Sequence, residues 1–139
     1  MTPYVLDTDT LTLFQENHPA VVHQVANHPP ADVGITVLTV EEQLSGWYTR
    51  LRRVKDLDDL ADVYERMTAT AASLGRFHVL SFTKPAILQF RHLLALKLGV
   101  SKMDLRIAAV TLEIGGTVVT RNRRDFQRVP GLAIVDWSV

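Results

Sequence analysis

The chain has 139 residues, no cysteine, and equal numbers of Lys plus Arg and Asp plus Glu, 15 of each, for a formal net charge of zero. A hydrophobic content of 47% with 22% charged residues suits one globular domain over 1–139 with a sizeable core. These values exclude a disulfide framework, a zinc–thiolate site and a thiol nucleophile, and they argue against bulk electrostatic attraction to nucleic acid.

In chain order, residues 3–7 around Tyr4-Val5-Leu6 predict a strand. A short helix follows from Thr10 to Glu16, then another from His18 to His28, stopped by Pro29-Pro30. Val33-Gly34-Ile35-Thr36 reads as a second strand, and Thr39 opens a helix running to Val54. Leu57, Leu60, Ala61, Tyr64, Met67, Ala71 and Leu74 recur at helical spacing, predicting an amphipathic helix over 57–74 with Gly75 as its stop. Phe77-His78-Val79-Leu80 is a third strand, followed by a helix from Pro85 to Leu98 and another from Met103 to Ile114. A strand at 117–120, an arginine-rich loop and a last strand at Ala133-Ile134-Val135 complete the chain. Strands alternating with helices predict a parallel sheet covered on both faces. No apolar stretch approaches the roughly 18 residues of a membrane span. The N-terminus carries no basic-then-apolar leader, so a cytoplasmic location away from membranes is expected.

Four separated acids each stand where an enzyme would place a metal ligand. Asp7 ends the first strand, Glu42 and Asp104 lie near helix starts, and Asp125 follows the fourth strand. Strand C-termini and adjacent helix starts share one edge of an open parallel sheet, and ligands bind there. Carboxylates gathered at that edge repel one another unless a hard cation neutralises them, and oxygen-only ligation suits Mg²⁺ or Mn²⁺. Each acid also has a local role: Glu42 follows Thr39 by three and Asp104 follows Ser101 by three, the spacing of a capping pair. Asp7 is placed to cap the next helix, and Asp125 to form a turn with its loop. His18, His23 and His28, five residues apart, turn about 140° per step on a helix and gather no ligand set. Trp47 and Tyr48 suit core or interface packing more than base stacking.

Four blocks carry a resemblance. Asp7-Thr8-Asp9 after a strand resembles the opening of the PIN domain, with Asp9 where Asn is usual. Thr39-Val40-Glu41-Glu42-Gln43-Leu44-Ser45-Gly46 resembles its second block, whose phase selects Glu42 over Glu41. Asp104-Leu105-Arg106-Ile107-Ala108-Ala109 and Thr120-Arg121-Asn122-Arg123-Arg124-Asp125-Phe126 resemble the third and fourth. In order and across nearly the whole chain, they resemble the VapC-type ribonuclease toxins of bacterial toxin–antitoxin pairs.

The resemblance implies a PIN-like three-layer α/β/α sandwich on a central, mostly parallel sheet of four to five strands. It implies an Mg²⁺-dependent endoribonuclease, with Mn²⁺ as a substitute, that leaves a 5′-phosphate and a 3′-hydroxyl. Asp7 and Asp104 are expected to contact the metal directly, while Glu42 and Asp125 hold metal-bound waters or a second ion. Glu42 or Asp7 takes the attacking water's proton. Asn122 competes with Asp125 for the place nearer the metal, and Asp125 is favoured. Thr8, Thr120 and Asn122 are supporting candidates, and Arg121 and Arg124 are candidates for steering phosphate. A small VapB-like antitoxin is the implied partner. Homodimerisation is expected through residues around Glu42–Arg53 and 57–74. Two other readings stand beside this one. Asp7-Thr8-Asp9 also satisfies the opening of a haloacid-dehalogenase-type phosphatase, though Leu11 stands where Thr or Val is expected. A catalytically silent PIN-fold binding module is the other.

Overall fold

A computed structural model describes residues 3–139. Five strands, β1 (Tyr4–Leu6), β2 (Val33–Thr36), β3 (His78–Leu80), β4 (Thr117–Val119) and β5 (Ala133–Val135), form one sheet in the order β3-β2-β1-β4-β5, and every pairing is parallel. The strand order runs outward from β1 to β3, then resumes on the other side with β4. The switch point lies between β1 and β4, where Leu6 pairs with Val119. At such a point the connections leave in opposite directions and open a crevice beyond the strand C-termini.

Seven α-helices complete the fold: α1 (Thr8–Gln15), α2 (Pro19–Ala26), α3 (Val37–Arg53), α4 (Leu57–Leu74), α5 (Lys84–Ala95), α6 (Lys102–Glu113) and α7 (Arg123–Phe126). Alternation along the strands divides the core. Leu6, Ile35 and Val119 pack with Leu11, Val21, Val25, Phe77 and Trp137 on one face. Val118 packs with Phe90, Leu93, Leu105, Ala108 and Phe126 on the other. The result is the expected three-layer α/β/α arrangement, with a wholly parallel five-stranded sheet. None of the described helices is long and apolar enough to cross a membrane.

Three local expectations need correction. The helix expected to open at Thr39 begins at Val37, because Thr36 is the N-cap and its hydroxyl accepts from the Thr39 N–H at 3.2 Å. Both threonines have the right chemistry for a cap, but Leu38 and Thr39 are drawn into the core. Glu42 therefore sits in the second turn and has no capping role. On α4 the buried line passes through Val63, leaving Leu57 and Tyr64 82% and 53% exposed, so the apolar residues form a wider band than one core-facing stripe. The arginine-rich loop contains the single turn α7, N-capped by Asn122. Elsewhere the ends shift by a few residues. Gly115, at φ 67°, lets α6 stop and β4 begin, with the Gly116 N–H donating back to the Thr111 carbonyl at 3.0 Å.

Candidate active site

Asp7 leaves β1 at the switch point. Its N–H donates to the Val119 carbonyl at 3.1 Å, and its Oδ1 accepts from the Thr10 N–H at 2.8 Å. The first bond continues the ladder to β4; the second caps α1. The capping role and a place in the site are compatible, because one carboxylate offers more acceptor positions than the cap uses. Asp7 is 5% exposed, and this burial pushes its carboxyl above the usual range, opposed by the Thr120 hydroxyl and Thr10 and assisted by Asp9.

Asp104 reaches the same region from the first turn of α6. Ser101 caps that helix, its Oγ accepting from the Asp104 N–H at 3.1 Å. Burial raises the Asp104 carboxyl, and repulsion from Asp7, Glu42 and Asp125 raises it further against the pull of Ser101. The four sequence-selected acids thus share one electrostatic environment although they come from four different segments.

Glu42 is aimed by a short chain of hydroxyls. Thr8 Oγ1 lies 2.5 Å from Glu42 Oε1 and 3.0 Å from Thr39 Oγ1. A carboxylate only accepts, so Thr8 donates to Glu42, and Thr39 must then donate to Thr8. Thr39, which by sequence resembled a cap, is a buried donor whose proton orders Thr8. Its place three residues before Glu42 was the available signal, but that spacing alone does not distinguish the two roles.

These groups surround a cleft of ≈ 580 Å³ lined by Asp7, Thr8, Asp9, Thr12, Glu42, Asp104, Arg121 and Asn122. Asp125 stands behind that lining. Its Oδ2 accepts from Asn122 Nδ2 at 3.0 Å, its N–H donates to Asn122 Oδ1 at 3.4 Å, and Arg128 lies 3.9 Å from its Oδ1. Of the fourth block, Arg121 and Asn122 reach the cleft surface, and Asp125 fixes the Asn122 amide. Thr120 is buried and its Oγ1 accepts from the Asn122 N–H at 2.8 Å, tying β4 to this corner. Arg124 is exposed and lies outside the lining.

Sequence reasoning did not pair Asp9 with Arg121. Arg121 Nε and Nη2 donate to the two carboxylate oxygens at 2.8 and 3.0 Å, a bidentate pair at the cleft mouth. Asp9 pushes the Arg121 guanidinium above its usual range and partly neutralises its charge. With Asn at this position the ion pair would be lost.

Among the described residues, no three His, Asp or Glu side chains form a ready-made metal cage. The donor chemistry nonetheless fits a hard cation: Asp7, Glu42, Asp104 and Asn122 offer oxygen ligands, and a positive charge among the acids would reverse the repulsion felt by Asp104.

The chain is 28% identical over 141 residues to the tRNA(fMet)-specific endonuclease VapC of Salmonella typhimurium, with 99% of each covered. The DNA-bound VapBC structure from Salmonella typhimurium superimposes with a TM-score of 0.80 at 25% identity, covering 99% of both chains. VapBC2 of Rickettsia felis, bound to a promoter DNA fragment, gives 0.75 at 20% identity, covering 96% of this chain and 98% of that one. The PIN-domain family model matches residues 4–132. Asp7-Thr8-Asp9 falls inside that match and the phosphatase reading loses its basis; this chain belongs to the PIN-domain family.

Proposed function

We propose that the chain is an Mg²⁺-dependent endoribonuclease, able to use Mn²⁺, and the toxin of a VapBC-like toxin–antitoxin pair. The observation that carries this reading is the gathering of Asp7, Glu42 and Asp104 around one cleft at the β1/β4 switch point of a PIN domain. The whole-length similarity to a relative named as a tRNA(fMet)-specific endonuclease supports it and makes tRNA the first substrate to test.

Asp7 and Asp104 would hold the cation, with Asn122 beside them and Asp125 keeping its amide in place. When bound, a divalent ion lowers the pKa of a coordinated water and draws electrons from the phosphorus. Glu42, fixed through one oxygen by Thr8, would accept a proton from the attacking water. The water oxygen bonds to phosphorus as the bond to the 3′ oxygen breaks. The 3′ oxygen takes a proton from solvent, leaving a 3′-hydroxyl and a 5′-phosphate. Arg121 is the cationic group of the cleft surface and would meet the phosphate oxygens at the mouth.

A cognate antitoxin is the partner this reading requires, as the similar structures are named VapBC complexes. A homodimer is also part of the reading. Tyr48 on α3 and Leu57 and Tyr64 on α4, each more than half exposed, supply apolar contact on the expected faces. A monodisperse monomer in sedimentation at tens of micromolar would remove the dimer from the account. The nuclease itself is tested by incubating total cellular RNA with purified, partner-free protein, with Mg²⁺ and with EDTA, and mapping the ends. Discrete metal-dependent products carrying 5′-phosphates are expected. Folded protein that leaves RNA intact would point instead to a silent binding module.

A further inference from the structure

A second hollow, of ≈ 650 Å³, lies beside the acidic cleft between α1 and α2 on one side and α3 and α4 on the other. Thr12 lines both hollows, so they meet across α1. At the seam Gln15 and Gln43 exchange two amide hydrogen bonds of 2.9 and 2.8 Å, next in sequence to Glu42.

The charge of this hollow is opposite to that of the cleft. Arg50, Arg66 and Arg76 line it, against a single carboxylate, Glu16. The ion pairs among the described residues are Arg121 with Asp9 and Arg128 with Asp125, so none of these three arginines has a carboxylate within 4.0 Å. Aromatic rings hold them instead. The Arg50 and Arg66 guanidiniums lie 4.7 and 5.4 Å from the centroid of Trp47, and Arg76 lies 5.3 Å from that of Phe14. Trp47 is itself fixed, its Nε1 donating to Thr70 Oγ1 at 3.1 Å. A cation–π contact orders a guanidinium without neutralising it. The planar forks keep donors free for phosphate oxygens. The buried Ser73 Oγ has no protein partner and sits in the same wall.

We propose that this hollow is a subsite for the RNA backbone flanking the scissile bond, with Arg50, Arg66 and Arg76 binding phosphates on one side of the cleft. The inference rests on the ribonuclease reading and adds to it. A chain of zero net charge has no bulk attraction for a polyanion, and its cleft is acidic, so substrate must be held by a local cationic platform. The contiguous hollow supplies one, built on the helices that also carry Glu42 and Thr8.

The test measures binding of a labelled single-stranded RNA of about 12 nucleotides, within the span of known single-strand sites. Anisotropy is read in EDTA, so that no cleavage intervenes, across a salt series. Two variants, Arg50→Gln/Arg66→Gln and Arg66→Gln/Arg76→Gln, remove exposed charges, so loss of fold in one leaves the other informative. Each should weaken binding about tenfold and flatten the salt dependence by about 1.4, two phosphates' worth for a single strand. KM for RNA cleavage should rise with kcat unchanged. Wild-type affinity and salt slope in either folded variant would overturn the proposal. So would unchanged RNA binding coupled to lost affinity for a Glu-rich peptide, which would assign the hollow to a protein partner. Failure of the ribonuclease reading appears separately, as wild-type protein that binds this RNA without cutting any RNA in Mg²⁺; wild-type protein that cuts RNA but does not bind this strand overturns the subsite alone.

Discussion

Replacing Thr8 by Val tests the hydroxyl chain that aims Glu42. Valine has the shape of threonine, so no cavity opens, but the donor to Glu42 and the acceptor for Thr39 both disappear. Thr39 is 0% exposed and cannot turn to water, whereas the partly exposed Glu42 can be resolvated. An orphaned buried hydroxyl costs about 1–3 kcal/mol, so Thr8→Val should lose about 2 kcal/mol. For a domain of this size that lowers Tm by about 6–10 °C. Removing both hydroxyls leaves no orphan, so Thr8→Val/Thr39→Val should recover most of the loss. Urea unfolding of the four proteins closes a double-mutant cycle, with a coupling of about 1–2 kcal/mol expected at unchanged m. The nuclease rate should fall about 10–100-fold in both proteins carrying Thr8→Val, because Glu42 is no longer held. A Thr8→Val stability within about 0.5 kcal/mol of wild type, the range of an inconsequential surface change, would refute the chain. So would a double variant as unstable as the sum of the singles.

Other expectations concern charge. Burial and three neighbouring carboxylates raise Asp104, so its neutral form favours the fold; that contribution is complete below 3.8 and is lost as pH rises through the higher folded value. Asp104→Asn copies the neutral form and should raise Tm near neutral pH, with the gain vanishing in acid; equal melting curves at neutral pH would contradict this. Mg²⁺ at a hundredfold excess over Kd should stabilise wild type by about 2.7 kcal/mol in thermal melts, and Asp104→Asn should lose most of that shift; an undiminished shift would place the ion elsewhere. Asp9→Asn should release Arg121 at little cost to stability, since solvent screens an exposed pair. It should tighten RNA binding severalfold and steepen the salt dependence by about 0.7, and weaker binding would show that the pair itself recognises RNA.

Much of the fold was legible because its signals are local. The apolar run Val33–Thr36, the helix over 57–74 and the strand Ala133–Val135 appear at their expected positions. The acids Asp7, Glu42 and Asp104 were readable too, since each follows a strand or enters a helix where the sheet must bring them to one edge. What escaped depends on tertiary contacts. Thr36 and Thr39 are equally good caps by composition, and only burial of Leu38 and Thr39 selects between them. Asp9 and Arg121 are 112 residues apart and meet because β1 pairs with β4. Asn122 precedes Asp125 by three, and the turn of α7 decides that the amide faces the cleft while the carboxylate supports it. On α4 the same helical periodicity serves both a core face and an exposed band, which sequence spacing cannot separate.

In the proposed function, the carboxylates of the β1/β4 cleft carry out metal-dependent RNA cleavage. The most direct measurement is the single-turnover cleavage rate of tRNA by wild type, Asp7→Asn, Glu42→Gln and Asp104→Asn, each shown to be folded, at saturating Mg²⁺. Wild type should cut at discrete positions, and each substitution should slow it by at least about a hundredfold. A variant that cuts at the wild-type rate, or wild-type cleavage undiminished in EDTA, would contradict the account.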